Sequence, residues 1–348
     1  VVEVEVQAPH DVAQVELLVD GRVVDSRTEP PWRFTVDVGQ DNVEHRFEVY
    51  AYDPDGAMGR SEVTTPRIRI DEELRVELQQ LYVTASHDVG RVLDLGQADF
   101  RVLDNGVEQK LITFGRGDLP ITAVLLLDAS ESMRGERFQA ALRGAEAFGS
   151  EMRKLDEASL LLFSDQLLRA TPFTNDTGEL LAPLAGVEPG GNTAINDHLY
   201  LALKLLDARQ GRRVVVLFSD GADLHSVLGM DEVLWKARRS QALVYWIRFE
   251  ERGVSSSFAT AWRDVEGNKR ELAELEQAVG ASGGRIVGVS SVGEVEPAFR
   301  EILRELREQY VLGYYPSDSR DDGSWHKVEV GVRRSGVEVR VREGYVDF

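Results

Sequence analysis

The sequence predicts an α/β protein flanked by all-β segments, and two patterns predict this class. Between residues 120 and 309, near-continuous apolar runs such as "VVVLF" alternate with longer stretches of helical periodicity. Such alternation is typical of a mostly parallel, doubly wound sheet with helices on both faces. Outside that region, apolar and polar residues alternate with a period of two, as they do in half-buried strands. We therefore expect α/β structure over 120–309 and β structure over 1–70, 71–119 and 310–348.

Residues 1–70 are predicted to form a small β-sandwich. The stretch "VELLVDGRVVDS" contains two apolar runs joined by Asp20-Gly21, the dipeptide that a two-residue hairpin turn favours. Two further alternating stretches, "RFTVDV" and "HRFEVYAYD", follow at short spacing. Short strands at this spacing are typical of a sandwich.

Segments 71–119 and 310–348 are predicted to be the two halves of one further β-sandwich. The first contains a hairpin signal at Asn105-Gly106, and the second has alternating valines on both sides of Ser335-Gly336, which we interpret as another hairpin. A lone two-stranded hairpin is marginally stable in water, so this one should complete the sandwich that the first segment begins. The α/β region is then an insertion between the two halves.

Composition excludes several classes of function. Acidic residues outnumber basic ones 60 to 40, and the resulting net charge of −20 repels phosphate backbones, so we expect no nucleic-acid partner. The chain has no cysteine, which excludes disulfides, zinc–thiolate sites and cysteine nucleophiles. No apolar run approaches the ~20 residues of a membrane helix. The chain opens on "VVEVEVQAPH" without signal-peptide features, so we expect any targeting segment or anchor to lie outside it. Membrane association and oligomeric state stay open.

Oxygen-bearing side chains follow three of the predicted elements. Asp128, Ser130 and Ser132 come directly after the run "AVLLL". Thr193 follows a glycine turn ahead of a helix, and Asp220 lies just after the run "VVVLF". For the first three residues alone, helix capping is an alternative, because Asp and Ser oxygens accept hydrogen bonds from free N–H groups at a helix start. The two further loops favour a shared site, because the carboxyl ends of the strands meet at one edge of such a sheet.

The donor set favours a hard divalent cation. All five candidate ligands are carboxylate or hydroxyl oxygens, which suits Mg²⁺, Mn²⁺ or Ca²⁺ rather than zinc. Two carboxylates balance one divalent charge, and three hydroxyls add ligands without adding charge. Mg²⁺ usually keeps several waters, which leaves a position for a carboxylate from outside the protein.

These motifs resemble those of a known family. The strings "DASES", "GNTA" and "FSDG" are similar to the metal-ion-dependent adhesion site of von Willebrand factor A domains. The segments "VLDLGQADFRVLDNGVEQKLITF" and "LREQYVLGYYPSDSRDDGSWHKVEV" resemble a bacterial family related to these domains, so the resemblance covers about residues 75–348. Residues 1–70 resemble a bacterial immunoglobulin-like module.

The resemblance implies a role for each candidate ligand. A partner protein would supply an Asp or Glu to a metal that five residues of this chain hold directly or through water: Asp128, Ser130, Ser132, Thr193 and Asp220. Two positions depart from the family, which usually has Gly where Glu131 stands and commonly Gly where Asn192 stands. Three possibilities stay open for the Glu131 carboxylate. It faces solvent, it occupies the open coordination position of the metal, or it changes which ion the site prefers.

Other motifs favour structural explanations over catalysis. "GASGG" matches a nucleophile elbow around Ser282, but a helix precedes it and a strand follows, the reverse of the order that an elbow needs. We interpret it as a helix C-cap. His198 and His225 lie near the candidate ligands in sequence, and we interpret them as rim residues because no plausible nucleophile accompanies them. A metal-dependent hydrolase would also need a general base or the ligands of a second metal.

Two connecting segments are less informative. "RGD" at 116–118 lies between a β hairpin and the first α/β strand, and we interpret it as a linker turn. The stretch 251–269 is long for its position between a strand and a helix, so a mobile loop at the ligand edge and a segment without a role both stay open.

The sequence therefore predicts a non-enzymatic, extracytoplasmic protein-binding, adhesion or assembly module that captures an acidic partner residue through a divalent metal. The alternative is a structural scaffold of a cell-surface or periplasmic complex in which the metal site is vestigial. A melting experiment with and without Mg²⁺ discriminates between them, because a ligand that binds the native state stabilises it.

Overall fold

The computed structural model divides the chain into two compact units, Val1–Arg75 and Val76–Phe348. The residues that it describes are 2–3, 6, 11–38, 43–65, 78–117, 119–221, 223–250, 265–318 and 322–347. No helix among these residues is long and apolar enough to cross a membrane.

The first unit is all-β within its described residues. Its strands are β1 (Val2–Glu3), β2 (Gln14–Val19), β3 (Arg22–Arg27), β4 (Arg33–Phe34), β5 (His45–Tyr52) and β6 (Met58–Thr65). Four of them form an antiparallel sheet in the order β3-β2-β5-β6, and β1 pairs with β4. Asp20 and Gly21 both have positive φ, 52° and 77°, so the predicted two-residue turn between β2 and β3 is confirmed.

The second unit begins with five strands from the first predicted sandwich segment. They are β7 (Gln79–His87), β8 (Gly90–Arg91), β9 (Phe100–Asp104), β10 (Val107–Gln109) and β11 (Leu111–Arg116). Asn105 and Gly106 have φ of 47° and 81°, and Val107 faces Asp104 across the turn, which confirms the hairpin predicted there.

The described residues of the α/β region follow as six strands and six helices. The strands are β12 (Ile121–Asp128), β13 (Glu157–Phe163), β14 (Leu167–Ala170), β15 (Arg212–Ser219), β16 (Leu243–Phe249) and β17 (Ile286–Val289). The helices are α1 (Glu136–Ser150), α2 (Thr177–Leu181), α3 (Ile195–Asp207), α4 (Met230–Ser240), α5 (Val265–Ala281) and α6 (Val295–Glu308). The sheet order is β14-β13-β12-β15-β16-β17, with β14 antiparallel to β13 and the other neighbours parallel.

Strand β12 lies in the middle of this sheet and is buried along its whole length. Leu125 and Leu127 belong to a core that includes residues of α1 and α6, whereas Val124 and Leu126 belong to a core with residues of α3, α4 and α5. Because both faces of the strand are covered by apolar side chains, its polar residues lie toward its two ends, Thr122 at the start and Asp128 at the finish. Asp128 is the last residue of the strand.

After α6, the described residues form four strands that share sheets with β7–β11. They are β18 (Tyr310–Tyr314), β19 (Trp325–Val332), β20 (Glu338–Arg340) and β21 (Gly344–Val346). One sheet has the order β10-β9-β19-β21 and the other the order β11-β18-β7-β20, with β8 also on β7. Strands from both sides of the α/β region therefore lie next to each other in each sheet.

The hairpin predicted around Ser335-Gly336 is wrong in its pairing. Strand β19 pairs with β9 and with β21 and not with β20. The turn instead carries the chain to the opposite sheet, where Val339 of β20 pairs with Ala85 of β7. The alternating valines correctly predicted strands, but alternation alone does not specify which strand pairs with which.

Candidate functional site

Asp128 is the most deeply buried of the predicted ligands. Its carboxylate has no solvent exposure, Oδ1 accepts the N–H of Ser130 at 2.8 Å, and Oδ2 accepts the hydroxyl of Ser219 at 2.7 Å. Asp128 is buried because it belongs to β12, which lies between the parallel strands β13 and β15. The carboxylate is thus held in one orientation at the sheet's carboxyl edge.

Ser130 and Ser132 place two hydroxyls on the loop that follows Asp128. Their Oγ atoms lie 3.3 Å apart, with Ser130 buried and Ser132 half-buried. A short 3₁₀ turn, Glu131–Met133, makes this spacing possible because it folds the chain back before α1 begins at Glu136. The structure therefore brings all three residues of the "DASES" motif together.

The loop that carries Thr193 is hydrogen-bonded to the loop after Asp128. Gly190 donates its N–H to the Ala129 carbonyl at 2.8 Å, and Glu131 donates its N–H to the Gly191 carbonyl at 3.0 Å. Thr193 is 3% exposed, and its carbonyl accepts the N–H of Leu224 at 2.9 Å. Backbone hydrogen bonds thus join the Thr193 loop both to the Asp128 loop and to the loop after β15.

Asp220 directly follows β15 and acts on Asp128 through its charge. Burial and then the negative charge of Asp220 raise the pKa of Asp128 to about 7, while hydrogen bonds from Ser130 and Ser219 oppose the rise. Gly221, at φ +89°, forms the turn, and a Cβ at that position would collide with the Trp246 ring. The "FSDG" sequence therefore places a second carboxylate close to the first.

The donor set fits a hard divalent cation on its chemistry. A buried carboxylate with a second carboxylate beside it is stabilised by a cation bound between the two. Among the described residues, no group of three or more histidine, cysteine or acidic side chains is arranged to hold a metal. A metal at this edge would therefore depend on the hydroxyls of Ser130, Ser132 and Thr193 as well as on the two carboxylates.

Glu131 is oriented toward the rim of the site. Its side chain is 63% exposed, and Oε2 lies 2.9 Å from Nη2 of Arg134. The same Arg134 nitrogen donates to the Pro189 carbonyl at 2.9 Å, so the pair also joins the Asp128 loop to the Thr193 loop. Of the three possibilities that the sequence leaves open for Glu131, the structure shows the carboxylate facing solvent. Asn192, the other departure, is also exposed.

The remaining sequence candidates have structural surroundings. His198 is buried, stacks on Phe163 with 4.8 Å between ring centroids, and has a pKa lowered by burial. The expectation that it lies at the rim is therefore wrong, whereas His225 is exposed. Ser282 follows α5, and its hydroxyl donates to the Val279 carbonyl at 2.7 Å, as a helix C-terminal position would. Two candidate segments are described only in part. In "RGD" (116–118), Asp118 lies outside the described residues. In the stretch 251–269, residues 251–264 lie outside them, and α5 begins at Val265.

The sequence reasoning missed two residues that position the site. Ser219 holds Asp128, as described above. Asp223 is 8% exposed and accepts the N–H of Asn196, in the first turn of α3, at 2.8 Å, as well as the hydroxyl of Ser226 at 2.6 Å. The sequence signals for these residues are a serine directly after the apolar run "VVVLF", which is Ser219, and an aspartate four residues later, which is Asp223.

The model of the von Willebrand factor type A domain family matches residues 123–222, which include all five candidate ligands. This region has a von Willebrand factor A-type fold. The match covers less than half of the chain, and no curated protein matches the chain.

Several solved structures are similar to parts of this chain at low sequence identity. A von Willebrand factor type A structure from Catenulispora acidiphila is 9% identical with a TM-score of 0.45, over 77% of this chain and 74% of that chain. BatB from Bacteroides thetaiotaomicron is 21% identical with a TM-score of 0.39, over 53% of this chain and 98% of that one. An aerotolerance-related membrane protein from Bacteroides fragilis NCTC 9343 is 19% identical with a TM-score of 0.38, over 53% and 99%.

Proposed function

We propose that this protein is a non-enzymatic binding module, used in adhesion or assembly, that captures an acidic side chain of a partner protein through a divalent metal. The metal would be Mg²⁺, with Mn²⁺ or Ca²⁺ as substitutes. The observation that carries the proposal is the buried Asp128 carboxylate. It is acted on by the negative charge of Asp220 and lies beside two adjacent serine hydroxyls. Five residues would hold the ion directly or through water: Asp128, Ser130, Ser132, Thr193 and Asp220.

A bound metal would supply the positive charge that an acidic partner needs. The chain has a net charge of −20 and so repels acidic ligands over most of its surface. A divalent ion on two carboxylates leaves no net negative charge at the site, and a position filled by water can accept an outside carboxylate. The residues of this chain hold the donors in place before binding, because Asp128 is fixed by Ser130 and Ser219.

The orientation of Glu131 supports an accessible site. Its carboxylate is engaged by Arg134 at the rim, so it does not compete with a partner's carboxylate in this arrangement. An exposed ion pair of this kind is worth at most about 1 kcal/mol, so a partner could displace it at little cost.

In the same proposal, the β regions on either side of the α/β region would support the site. The four-stranded sheet and the β1–β4 pair would be an immunoglobulin-like module over 1–70, and the sheets built from 71–119 and 310–348 would be the platform of the α/β insert over 120–309. We further propose an extracytoplasmic location, periplasmic, secreted or on the cell surface, where a module of this kind would meet protein partners.

A peptide array tests the proposed capture directly. Each spot with an Asp or Glu peptide would have a twin in which the acid is replaced by its amide. We expect binding that requires the acid, requires Mg²⁺, is lost in EDTA and is lost in the Asp128→Asn variant. Binding that persists unchanged in EDTA and in that variant would contradict the proposal.

One observation favours the alternative of a structural scaffold with a vestigial site. Asp128 already accepts two hydrogen bonds from within the protein, so the fold is partly satisfied without an ion. In that case millimolar Mg²⁺ would leave the melting temperature unchanged, whereas binding to the native state must raise it.

A further inference from the structure

A second cluster of charges surrounds Tyr82, in strand β7 at the start of the second unit. The Arg212 guanidinium carbon lies 4.8 Å from the centroid of the Tyr82 ring. Burial raises the pKa of the Tyr82 phenol, and the positive charges of Arg212, Arg342 and Arg213 all oppose that rise. Three guanidinium groups therefore act on one phenol, two from neighbouring residues at the start of β15 and one from the C-terminal segment.

These three arginines are not neutralised within the part of the chain that the structure describes. Arg212 is fully buried, donates from Nη1 to the Leu306 carbonyl, and leaves Nε and Nη2 without a hydrogen-bond partner. Arg342 is 6% exposed, donates from Nη2 to Gln79 Oε1 at 2.9 Å, and leaves Nε without one. The guanidinium of half-buried Arg213 forms neither a hydrogen bond nor an ion pair with the described residues, although the charge of Asp207 acts on it through space.

Unpaired buried cations are costly, so such a cluster calls for an explanation. Burial lowers the pKa of all three arginines, the direction expected where nearby acidic groups compensate only part of the lost hydration. The cost is notable in a chain with 60 acidic residues, since carboxylates to pair with are abundant. Strain, a catalytic role, a water or an ion can each account for buried donors without a partner.

A pocket opens beside this cluster. It has a volume of about 370 Å³, and its lining includes two arginines, one tyrosine and three glutamines: Arg209, Arg213, Tyr82, Gln80, Gln210 and Gln241. No carboxylate of the described residues lines it, whereas guanidinium and amide groups supply N–H donors. Arg213 lies near the start of β15, so the pocket is at the opposite end of that strand from Ser219 and Asp220.

We propose that this pocket binds the oxyanion group of a small ligand, a phosphate or a carboxylate, with Arg213 as its main charged contact. Arg213 is the one of the three arginines that lines the pocket, and it has no competing partner among the described residues. Arg209 would contribute less, because it already pairs with Glu157 at 3.2 Å and lies over the Phe173 ring. Arg212 and Arg342 do not line the pocket, so they would raise its positive potential without contacting the ligand.

Isothermal titration calorimetry on the whole chain in metal-free buffer tests this proposal. Sodium phosphate and sodium succinate are the two probes, and sodium chloride at matched ionic strength is the blank. We expect saturable binding of at least one probe; phosphate alone would indicate a phosphorylated ligand, and succinate alone a carboxylate ligand. Arg213→Gln should weaken binding about ten-fold or more, because it removes a charge-assisted hydrogen-bond donor.

Two controls separate this site from general charge effects and from the metal site. Arg169→Gln removes an equal charge from the exposed strand β14 and should leave binding unchanged. Asp128→Asn should also leave it unchanged, so loss of the metal site and loss of the anion site are distinguishable. Arg209→Gln gives a second test of the pocket, with a smaller loss expected. Absence of saturable binding by both probes, or equal binding in wild type and Arg213→Gln, would overturn the proposal.

Discussion

Ser219 donates its hydroxyl to Asp128, with 2.7 Å between Ser219 Oγ and Asp128 Oδ2. The same Oγ accepts the N–H of Gly221 at 3.1 Å, so one hydroxyl connects the end of β12 to the turn that carries Asp220. The two carboxylates of the candidate site are therefore positioned by a residue that contributes no ligand in our proposal.

Replacing Ser219 tests this positioning role. Ser219→Ala should lower the free energy of unfolding by about 1–2 kcal/mol, because two buried hydrogen bonds are lost. It should also weaken Mg²⁺ binding roughly 10-fold, the usual effect of removing a residue that orients a ligand. Titration calorimetry and chemical denaturation measure the two effects.

Ser159→Ala is the matched control for that variant. Ser159 is also buried and donates its hydroxyl to the Thr171 carbonyl at 2.8 Å, but it lies within β13. It should lose comparable stability with no change in Mg²⁺ affinity. Equal Mg²⁺ affinity in Ser219→Ala and wild type would show that the hydroxyl does not position Asp128.

Removing the charge of Asp128 should have opposite effects on the metal-free and metal-bound protein. At pH 8 in EDTA, Asp128→Asn should be more stable than wild type by on the order of 1–3 kcal/mol, because a buried carboxylate beside Asp220 is replaced by a neutral amide. The increase in melting temperature that Mg²⁺ gives the wild type should be absent. Exposed Asp88→Asn controls for loss of one negative charge, and an Asp128→Asn protein less stable than wild type in EDTA would be the contrary result.

The raised pKa of Asp128 predicts a pH dependence with a definite sign. The folded protein holds the Asp128 proton up to about pH 7, whereas the unfolded chain releases it near the ordinary value of 3.8. The contribution of Asp128 to stability in EDTA is therefore full below about pH 4 and is lost as the pH rises to about 7. Since a metal needs the ionised carboxylate, the Mg²⁺-induced rise in melting temperature should grow between pH 6 and 8. A rise that shrinks over this range would be inconsistent with Asp128 as a ligand.

Glu131 provides a test of the accessibility of the site. Glu131→Gln should leave Mg²⁺ affinity within about two-fold of wild type and change stability by less than about 1 kcal/mol, because its ion pair with Arg134 is exposed. Glu188→Gln, which removes the same charge from the neighbouring loop, is the control. A large, selective change in Mg²⁺ affinity for Glu131→Gln would place its carboxylate on the metal.

Gly191 links backbone conformation to the position of Thr193. It has φ +85°, and a Cβ would lie 2.6 Å from Asp165 Oδ1, so Gly191→Ala should combine backbone strain with a steric clash. Gly186 has φ +75° with no atom near its Cβ, so Gly186→Ala carries the strain alone, about 1 kcal/mol. We expect Gly191→Ala to be the less stable by about a further 1 kcal/mol and to bind Mg²⁺ more weakly. Denaturation midpoints that are equal for the two variants would contradict the close approach.

Local patterns were sufficient to predict the elements near the site. The buried run ending at Asp128 and the turns at Asp20-Gly21 and Asn105-Gly106 follow from residue types within a few positions of each other. The loops of Thr193 and Asp220 could be placed at the same edge because parallel strands share a direction.

Features that depend on distant pairing could not be predicted from the sequence. The pairing of β20 with β7 joins residues more than two hundred positions apart, and the alternating valines do not encode it. The role of Ser219 and the orientation of Glu131 depend in the same way on neighbours from other loops. The grouping of Arg212, Arg213 and Arg342 around Tyr82 is a further case, since no local pattern marks it.

The metal site is tested most directly by anomalous diffraction from crystals of the protein soaked in Mn²⁺. We predict an anomalous peak at coordination distance from the hydroxyls of Ser130 and Ser132, beside the carboxylates of Asp128 and Asp220, and its absence in Asp128→Asn crystals treated identically. A map with no peak at this edge, or with an equal peak in the variant, would contradict the central claim.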